Sequence, residues 1–121
     1  MDLFYRNNCH VPDLNYALTI LATVTSRPAP DRAVIDAGRK TMNHELHMPE
    51  VRGRSDLCVQ SLSAEHGVLE VTASPGPRIG ERIELLPGYA DLTVMLHDRF
   101  YGFRNGRLEV CWPIDARGRL A

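Results

Sequence analysis

The sequence has almost no lysine: Lys40 is the only one among its 121 residues. Chemistry that needs a lysine amine for covalent catalysis therefore has a single candidate in this chain. The sequence also lacks a long hydrophobic run, since no apolar stretch approaches the ~18 residues of a membrane span. The formal net charge is -1, and so nearly neutral a chain gives no indication of a nucleic-acid or membrane-surface partner.

Cysteine is also scarce: Cys9, Cys58 and Cys111 are irregularly spaced and form no CxxC pair. An odd number without a pattern predicts reduced thiols rather than a disulfide framework, with Cys58 and Cys111 on strands. The first four residues, MDLF, lack the basic region and following apolar region of a secretory signal peptide. We therefore expect a cytoplasmic protein.

No stretch of useful length repeats with a helical period, and the chain instead contains several short segments of β type. A chain of 121 residues with 44% hydrophobic content can form one domain with a core of its own. Turn residues separate the segments at intervals of roughly 8–12 residues, as in antiparallel sandwiches and barrels. We predict an all-β fold, a single antiparallel β-barrel or sandwich of six to eight short strands. The predicted strands are 16–26, 32–36, 57–62, 68–73, 82–86, 100–104 and 107–112.

Two of these strands carry more detailed predictions. Segment 16–26 is almost continuously apolar, which predicts a strand that is buried on both faces or one that lies in a tight barrel. The Asn-Gly dipeptide at 105–106 favours a two-residue type I′ hairpin turn. After it, Leu108, Val110 and Trp112 alternate with polar residues, which predicts a face that packs on the core.

Two segments show no regular pattern. Residues 1–15 have no clean period and predict an irregular N-terminal arm of interdomain type, which leaves 16–121 as the β domain. Residues 39–56 are polar and aperiodic, and loops of this length in small domains are typically functional or mobile.

The segment 86–104 concentrates side chains that donate, accept or ligate: Tyr89, Asp91, His97 and Asp98. If the chain is extended there, Tyr89 and Asp91 share a face, because residues i and i+2 do so. Such a pair could hold a metal-bound water or polarise a substrate hydroxyl. The alternative is an aspartate that caps a turn beside a half-buried tyrosine. His97 and Asp98 would point to opposite faces, so we expect Asp98 to close a surface turn and His97 to be a weak candidate ligand.

Two further candidates lie in turns. His66, in the sequence Glu-His-Gly between two predicted strands, either faces a cleft shared with the Tyr89 loop or is the exposed tip of a hairpin. Lys40 has no glycine-rich phosphate-binding segment beside it, so we expect it to form a salt bridge or to be solvated.

Histidines elsewhere make a weak case for metal. His44 and His47 have HxxH spacing rather than HExxH and lie in an aperiodic segment, so they are expected to be solvated. Cys9 and His10 are adjacent, but no second Cys or His follows at ligand spacing.

Three stretches of the chain together resemble the C-terminal domain of the D-threonine aldolase / D-serine dehydratase-like family. They are LATVTSRPAPDRAVIDAGRK, LSAEHGVLEV and RIGERIELLPGYADLTVMLHDRFYGFRNGRLEVCWPIDARGRL, in the same order and at similar spacing. The resemblance implies a two-domain enzyme of alanine-racemase type. In such an enzyme an N-terminal (β/α)8 barrel holds pyridoxal phosphate on a lysine, and a C-terminal antiparallel β domain completes the active site.

The resemblance also implies roles for individual residues. In family members the loop that matches 86–91 carries a His-x-Cys or His-x-Asp pair, which binds a divalent metal in contact with the substrate's β-hydroxyl. Here Tyr89 stands at the His position and Asp91 keeps a carboxylate, so Asp91 is the candidate ligand for Zn²⁺ or Mn²⁺. A neutral phenol is a poor ligand for either ion, so Tyr89 is expected to be a catalytic acid–base group or hydrogen-bond donor. His66 lies in a turn that matches the family and is the second candidate catalytic residue.

A (β/α)8 barrel takes about 250 residues, so this chain cannot contain one beside its β domain. We therefore expect the C-terminal β domain of a pyridoxal-phosphate-dependent aldolase or dehydratase of D-3-hydroxy amino acids, inactive alone. The expected partners are the missing barrel domain, a second copy in a homodimer, and a D-hydroxy amino acid substrate. The alternative is a stand-alone binding or interaction module that has lost catalysis.

Overall fold

The protein is described by a computed structural model that covers residues 1–9, 11 and 13–119. Within these residues the chain forms antiparallel strands and two short helices, which confirms the predicted all-β fold. In chain order they are α1 (Leu3–Asn8), β1 (Ile20–Ala29), β2 (Arg32–Ile35), β3 (Glu50–Val51), β4 (Leu57–Leu62), β5 (Gly67–Val71), β6 (Arg82–Leu86), α2 (Ala90–Val94), β7 (Arg99–Arg104) and β8 (Arg107–Pro113).

Six of the strands form one antiparallel sheet in the order β3-β6-β1-β2-β5-β4. The outer strands β3 and β4 also lie beside each other, so the sheet curls into a nearly closed barrel. Strands β7 and β8 form a separate two-stranded sheet. The barrel interior is filled by aliphatic side chains: Ile20, Ala22, Val24, Ala33, Ile35, Ala37, Met42, Val51, Leu57, Val59, Leu62, Leu69, Val71, Ile83 and Leu85.

Strands β4 and β6 have the bounds that were predicted, and in β6 Ile83 and Leu85 mark the buried face. Of the two arrangements predicted for the first strand, a place in a barrel is found and burial on both faces is not. Strand β1 begins at Ile20 and alternates, with Ile20 at 7% exposure, Leu21 at 58% and Ala22 at 1%. A nearly continuous apolar run thus left one hydrophobic side chain, Leu21, on the outside of the barrel.

The hairpin of β7 and β8 turns as predicted, with positive φ at both Asn105 and Gly106. The predicted core face of Leu108, Val110 and Trp112 is wrong, because Leu108 is 54% exposed and Trp112 is 55% exposed. The cross-strand register explains part of this difference. Val110 pairs with the residue at 102 and Leu108 with the residue at 103, so a bulge places Leu108 and Val110 on opposite faces of the hairpin.

The two helices were not predicted. Helix α1 lies within the N-terminal arm, and helix α2 stands where an extended chain was expected, directly after Tyr89. Their lengths of six and five residues are too short to show a helical period in the sequence. No helix among the described residues is long and apolar enough to cross a membrane.

The loops that carry the candidate residues leave the barrel at the same end. Antiparallel pairing places the end of β2, the start of β5 and the end of β6 at the end of the barrel where β1 begins. The long loop after β2 contacts both neighbours: the Lys40 N–H donates to the Ala64 carbonyl at 3.0 Å, and the Asn43 N–H donates to the Thr93 hydroxyl at 3.2 Å. This end of the barrel therefore holds the candidate site.

Candidate functional site

Tyr89 and Asp91 are brought together by the start of helix α2. Tyr89 is the N-cap residue, in an extended conformation, and Asp91 lies in the first turn. The Asp91 carboxylate raises the pKa of the Tyr89 phenol, so the two side chains influence each other. A helix start, and not a shared strand face, places them together.

The environment of Tyr89 sets its protonation. The hydrogen bond with Asp91 is the largest cause that raises the pKa of the Tyr89 phenol, followed by a hydrogen bond with Tyr5 and by burial. A phenol with a raised pKa stays neutral at physiological pH and can donate a hydrogen bond. The pair therefore combines a protonated donor, Tyr89, with an acceptor, the Asp91 carboxylate.

A third phenol reaches the pair from the N-terminal arm. The Tyr5 hydroxyl donates to Asp91 Oδ2 at 3.4 Å, and the Tyr5 and Tyr89 ring centroids lie 6.0 Å apart. Phe4 packs edge-on against Tyr89, with 5.3 Å between the ring centroids. Sequence analysis missed Tyr5 because it lies 86 positions before Asp91 and no local pattern links them.

Helix α1 is held against this loop by one buried carboxylate. Asp2 is completely buried, and its Oδ1 accepts the Tyr5 N–H at 2.9 Å while its Oδ2 accepts the Ala90 N–H at 2.5 Å. A single side chain thus satisfies N–H groups at the starts of both helices. The backbones also meet directly, since the Leu3 and Phe4 N–H groups donate to the carbonyls of residues 87 and 88 at 3.3 and 3.0 Å.

The loop before Tyr89 is packed tightly against the long loop after β2. A Cβ atom on Gly88 would lie 1.8 Å from the His47 carbonyl oxygen, so a side chain is excluded at this position. The His47 ring lies beside α1, with Nε2 3.0 Å from Asn8 Nδ2 and with the Phe4 ring centroid at 6.3 Å. One histidine of the HxxH pair is therefore part of the packing around Tyr89, and His44 is half-buried elsewhere in the loop.

His66 lies in the β4–β5 turn, exposed, with its N–H donating to the Ser63 hydroxyl at 3.2 Å. Beside it Lys40 forms an exposed ion pair with Glu65, whose hydrogen bond and then charge raise the pKa of Lys40. None of the hydrogen bonds found in the described residues joins His66 to Tyr89. The turn shares the same barrel end with the Tyr89 loop, but the loop after β2 lies between them.

The remaining candidates have structural contacts. A ring nitrogen of His97 lies 2.7 Å from the Thr41 carbonyl oxygen, and Asp98 forms an ion pair with Arg117. All three cysteines, Cys9, Cys58 and Cys111, are free thiols on the surface, and the latter two are on strands as predicted. The other half of the Cys9-His10 pair lies outside the described residues.

The side chains around Asp91 do not fit a divalent metal. One Asp91 oxygen accepts from Tyr5, and the neighbouring Tyr89, whose pKa is raised, has a neutral phenol that is a poor ligand for Zn²⁺ or Mn²⁺. In the part of the chain that the structure describes, no three His, Cys, Asp or Glu side chains lie together as a metal-binding group. Lys40 is likewise unsuited to carrying pyridoxal phosphate, because it is an exposed, charged partner of Glu65.

A groove of about 570 Å³ lies between the start of β1 and the β7–β8 hairpin. Its walls include Leu21, Tyr101 and Phe103, which are 58%, 62% and 63% exposed. Thr93 and His97 line its floor near the loop that follows β6. The groove is an apolar surface beside the Tyr89–Asp91 pair rather than part of it.

Comparison with known proteins gives consistent matches. Residues 17–103 match the family model described as "Putative serine dehydratase domain". Over 103 residues the chain is 40% identical to the 3-hydroxy-D-aspartate aldolase of Paracoccus denitrificans. This match covers 85% of this chain and 26% of that protein. The crystal structure of D-threonine aldolase from Filomicrobium marinum superimposes with a TM-score of 0.93 and 34% identity, over 100% of this chain and 34% of that chain. The chain thus spans about a quarter to a third of these two proteins.

For a third relative, the match covers most of both proteins. An uncharacterized protein of Mycobacterium tuberculosis is 29% identical over 113 residues, and the match covers 85% of this chain and 85% of that protein. Similar sequences therefore occur both as a part of long enzymes and as nearly the whole of a short protein.

Proposed function

The chain belongs to the serine dehydratase domain family, and from this membership we propose that it is the C-terminal β domain of a pyridoxal-phosphate enzyme acting on D-3-hydroxy amino acids. The main support is the position of Tyr89 and Asp91, the latter bonded to Tyr5, at the loop end of a fold that superimposes on a D-threonine aldolase. Identity to a 3-hydroxy-D-aspartate aldolase supports a substrate with a hydroxyl on its β-carbon.

The chemistry is divided between two domains in this proposal. Pyridoxal phosphate, held by a separate barrel domain, supplies the electron sink for the amino acid's α-carbon. The β domain would supply side chains for the β-hydroxyl of that amino acid. The lack of a suitable lysine in this chain agrees with that division, and the chain alone is expected to be inactive.

The side chains favour cleavage over dehydration. Cleavage requires a base that takes the proton of the β-hydroxyl, and an Asp91 carboxylate oxygen can accept it. Dehydration requires an acid that gives a proton to the leaving hydroxyl. Tyr89 is a poor acid, because its raised pKa makes the phenol a hydrogen-bond donor that holds its proton. We therefore assign Asp91 as the base and Tyr89 as the donor that orients the substrate hydroxyl, with no step through a metal.

His66 has a secondary role in this proposal. Its turn leaves the barrel at the same end as the Tyr89 loop, and its side chain is exposed. We place it at the rim of the site, facing the barrel domain, where its imidazole can contact the substrate or that domain.

A fusion protein tests the proposed function. This chain replaces the matched third of the D-threonine aldolase from Filomicrobium marinum, and aldehyde release from D-threonine and D-3-hydroxyaspartate is measured with pyridoxal phosphate present. The fusion is expected to cleave at least one substrate, and Asp91→Asn is expected to lower kcat by roughly 10²–10⁴. Tyr101→Phe, a change of an exposed phenol on the hairpin, serves as the matched control and should retain activity.

The alternative is a stand-alone interaction module, and the short Mycobacterium tuberculosis relative favours it. Such a module would cover the exposed apolar side chains of the groove, Leu21, Tyr101 and Phe103, with a second copy of the chain. A fusion that folds and binds pyridoxal phosphate but cleaves nothing, together with a stable dimer of the isolated chain in sedimentation, would decide for this alternative.

A further inference from the structure

We propose that Tyr5 is a positioning residue for the Asp91 carboxylate, brought to it by a helix that Asp2 fastens to the same loop. This inference rests on the proposed function. It makes residues 1–15, the segment before the β domain, contribute to the site. Tyr5 does not react with the substrate; it fixes the direction in which the carboxylate points.

The geometry around Asp91 supports this role. The carboxylate is exposed, so without partners it would rotate among its side-chain rotamers. The Tyr5 hydroxyl limits that rotation, because it donates to Oδ2 at 3.4 Å. The Tyr5 and Tyr89 rings lie beside each other, with 6.0 Å between their centroids. The carboxylate can therefore receive a proton while its orientation is held by the Tyr5 hydroxyl.

The hydroxyl of Tyr5 has no other evident purpose. The ring is 38% exposed and packs edge-on against Phe4, with centroids 5.6 Å apart. A phenylalanine at this position would keep that contact. Only the hydroxyl reaches Asp91, so its removal separates positioning from packing.

A hydrogen bond as long as 3.4 Å depends on where helix α1 lies. Asp2 determines that position, because its two oxygens bind the N–H groups of Tyr5 and Ala90. Ala90 lies between the two site residues in the chain, so the carboxylate of Asp2 is tied to Tyr5 on one side and to the Asp91 loop on the other. Any displacement of α1 from this loop would separate the Tyr5 hydroxyl from Asp91.

The first test is NMR spectroscopy of the chain itself, with Tyr5→Phe and the control Tyr101→Phe. The carboxyl ¹³C shift of Asp91 reports its hydrogen bonds, and the three-bond side-chain couplings report whether it keeps one rotamer. We expect Tyr5→Phe to shift the carboxyl resonance, to average the couplings and to move the Tyr89 Cζ resonance, while the control changes none of them. Unchanged Asp91 couplings in Tyr5→Phe, with the α1 amide resonances in their wild-type positions, would overturn the proposal.

The second test uses the fusion enzyme. Tyr5→Phe is expected to lower kcat by about tenfold or more with KM nearly unchanged, because substrate binding remains while the base loses its orientation. If the fusion shows no activity with any substrate but the NMR changes are present, the proposed function is refuted and the positioning role stands. An active fusion whose kcat Tyr5→Phe does not change would remove the positioning role and leave the function.

Discussion

Replacement of Asp2 by alanine is the sharpest test of how the site is held. Asp2 accepts two backbone N–H groups, from Tyr5 and from Ala90, and it is completely buried. Loss of the N-cap bond of α1 costs about 1 kcal/mol. Loss of the second acceptor leaves a buried N–H without a partner, which costs about 1–3 kcal/mol. The variant should therefore lose about 2–4 kcal/mol of unfolding free energy, out of the roughly 5–15 kcal/mol that a domain has.

The assay is urea unfolding followed by circular dichroism, with a thermal scan beside it. For a chain of this size the expected loss lowers Tm by roughly 10 °C. Asp31→Ala is the matched control, because Asp31 is an exposed carboxylate in the β1–β2 turn and its removal should change stability by less than about 0.5 kcal/mol. If Asp2→Ala were no less stable than Asp31→Ala, the capping account of α1 would be refuted.

Two further predictions concern acid stability and metal affinity. A hydrogen bond from Arg54 lowers the pKa of Asp56 below its ordinary value, so the unfolded chain binds this proton more tightly than the folded one. The Asp56 carboxylate therefore contributes its full stabilisation above its pKa in the unfolded chain, and this stabilisation is lost as the pH falls through its pKa in the folded chain. On acidification, the urea midpoint of Arg54→Gln should fall less than that of the wild type. Tyr89→His creates a His-x-Asp sequence with Asp91, and calorimetry should find Zn²⁺ or Mn²⁺ binding that the control Tyr89→Phe lacks.

The framework of the barrel was predictable because its strands have one solvent-exposed face and one buried face. In β6 the polar residues Arg82 and Glu84 alternate with the buried Ile83 and Leu85, and the predicted bounds Arg82–Leu86 are those of the strand. The predicted bounds of β4, Leu57–Leu62, also agree, although a bulge interrupts its alternation. The Asn105-Gly106 turn was predictable because few other dipeptides adopt two positive φ angles in succession.

Alternation misled where the hairpin stands away from the barrel. Leu108 and Trp112 have the spacing of a core face, but the hairpin of β7 and β8 packs no second sheet against that face. A bulge in the pairing also shifts the faces along β8. Periodicity indicates that a strand has two different faces, but not whether anything covers either of them.

The site itself was only partly accessible from sequence. Tyr89 and Asp91 are close in the chain, and a family resemblance marked their loop. Tyr5 and Asp2 were not singled out, because their contacts with that loop span more than 80 positions. One local signal was available: Asp2 directly precedes an apolar segment, as an N-cap residue does. It predicts a helix start, but it does not reveal that the same carboxylate caps a second helix.

The close packing of the loop before Tyr89 affects how such a site can change during evolution. The loop is held through main-chain atoms: carbonyls 87 and 88 accept from α1, and Gly88 lies against the His47 carbonyl. None of these contacts involves the side chain at position 89. A substitution at position 89, such as Tyr89→His, is therefore expected to alter the reactive group while the path of the backbone is preserved. The fold can thus substitute one chemistry for another at a single position without first rebuilding the loop that presents it.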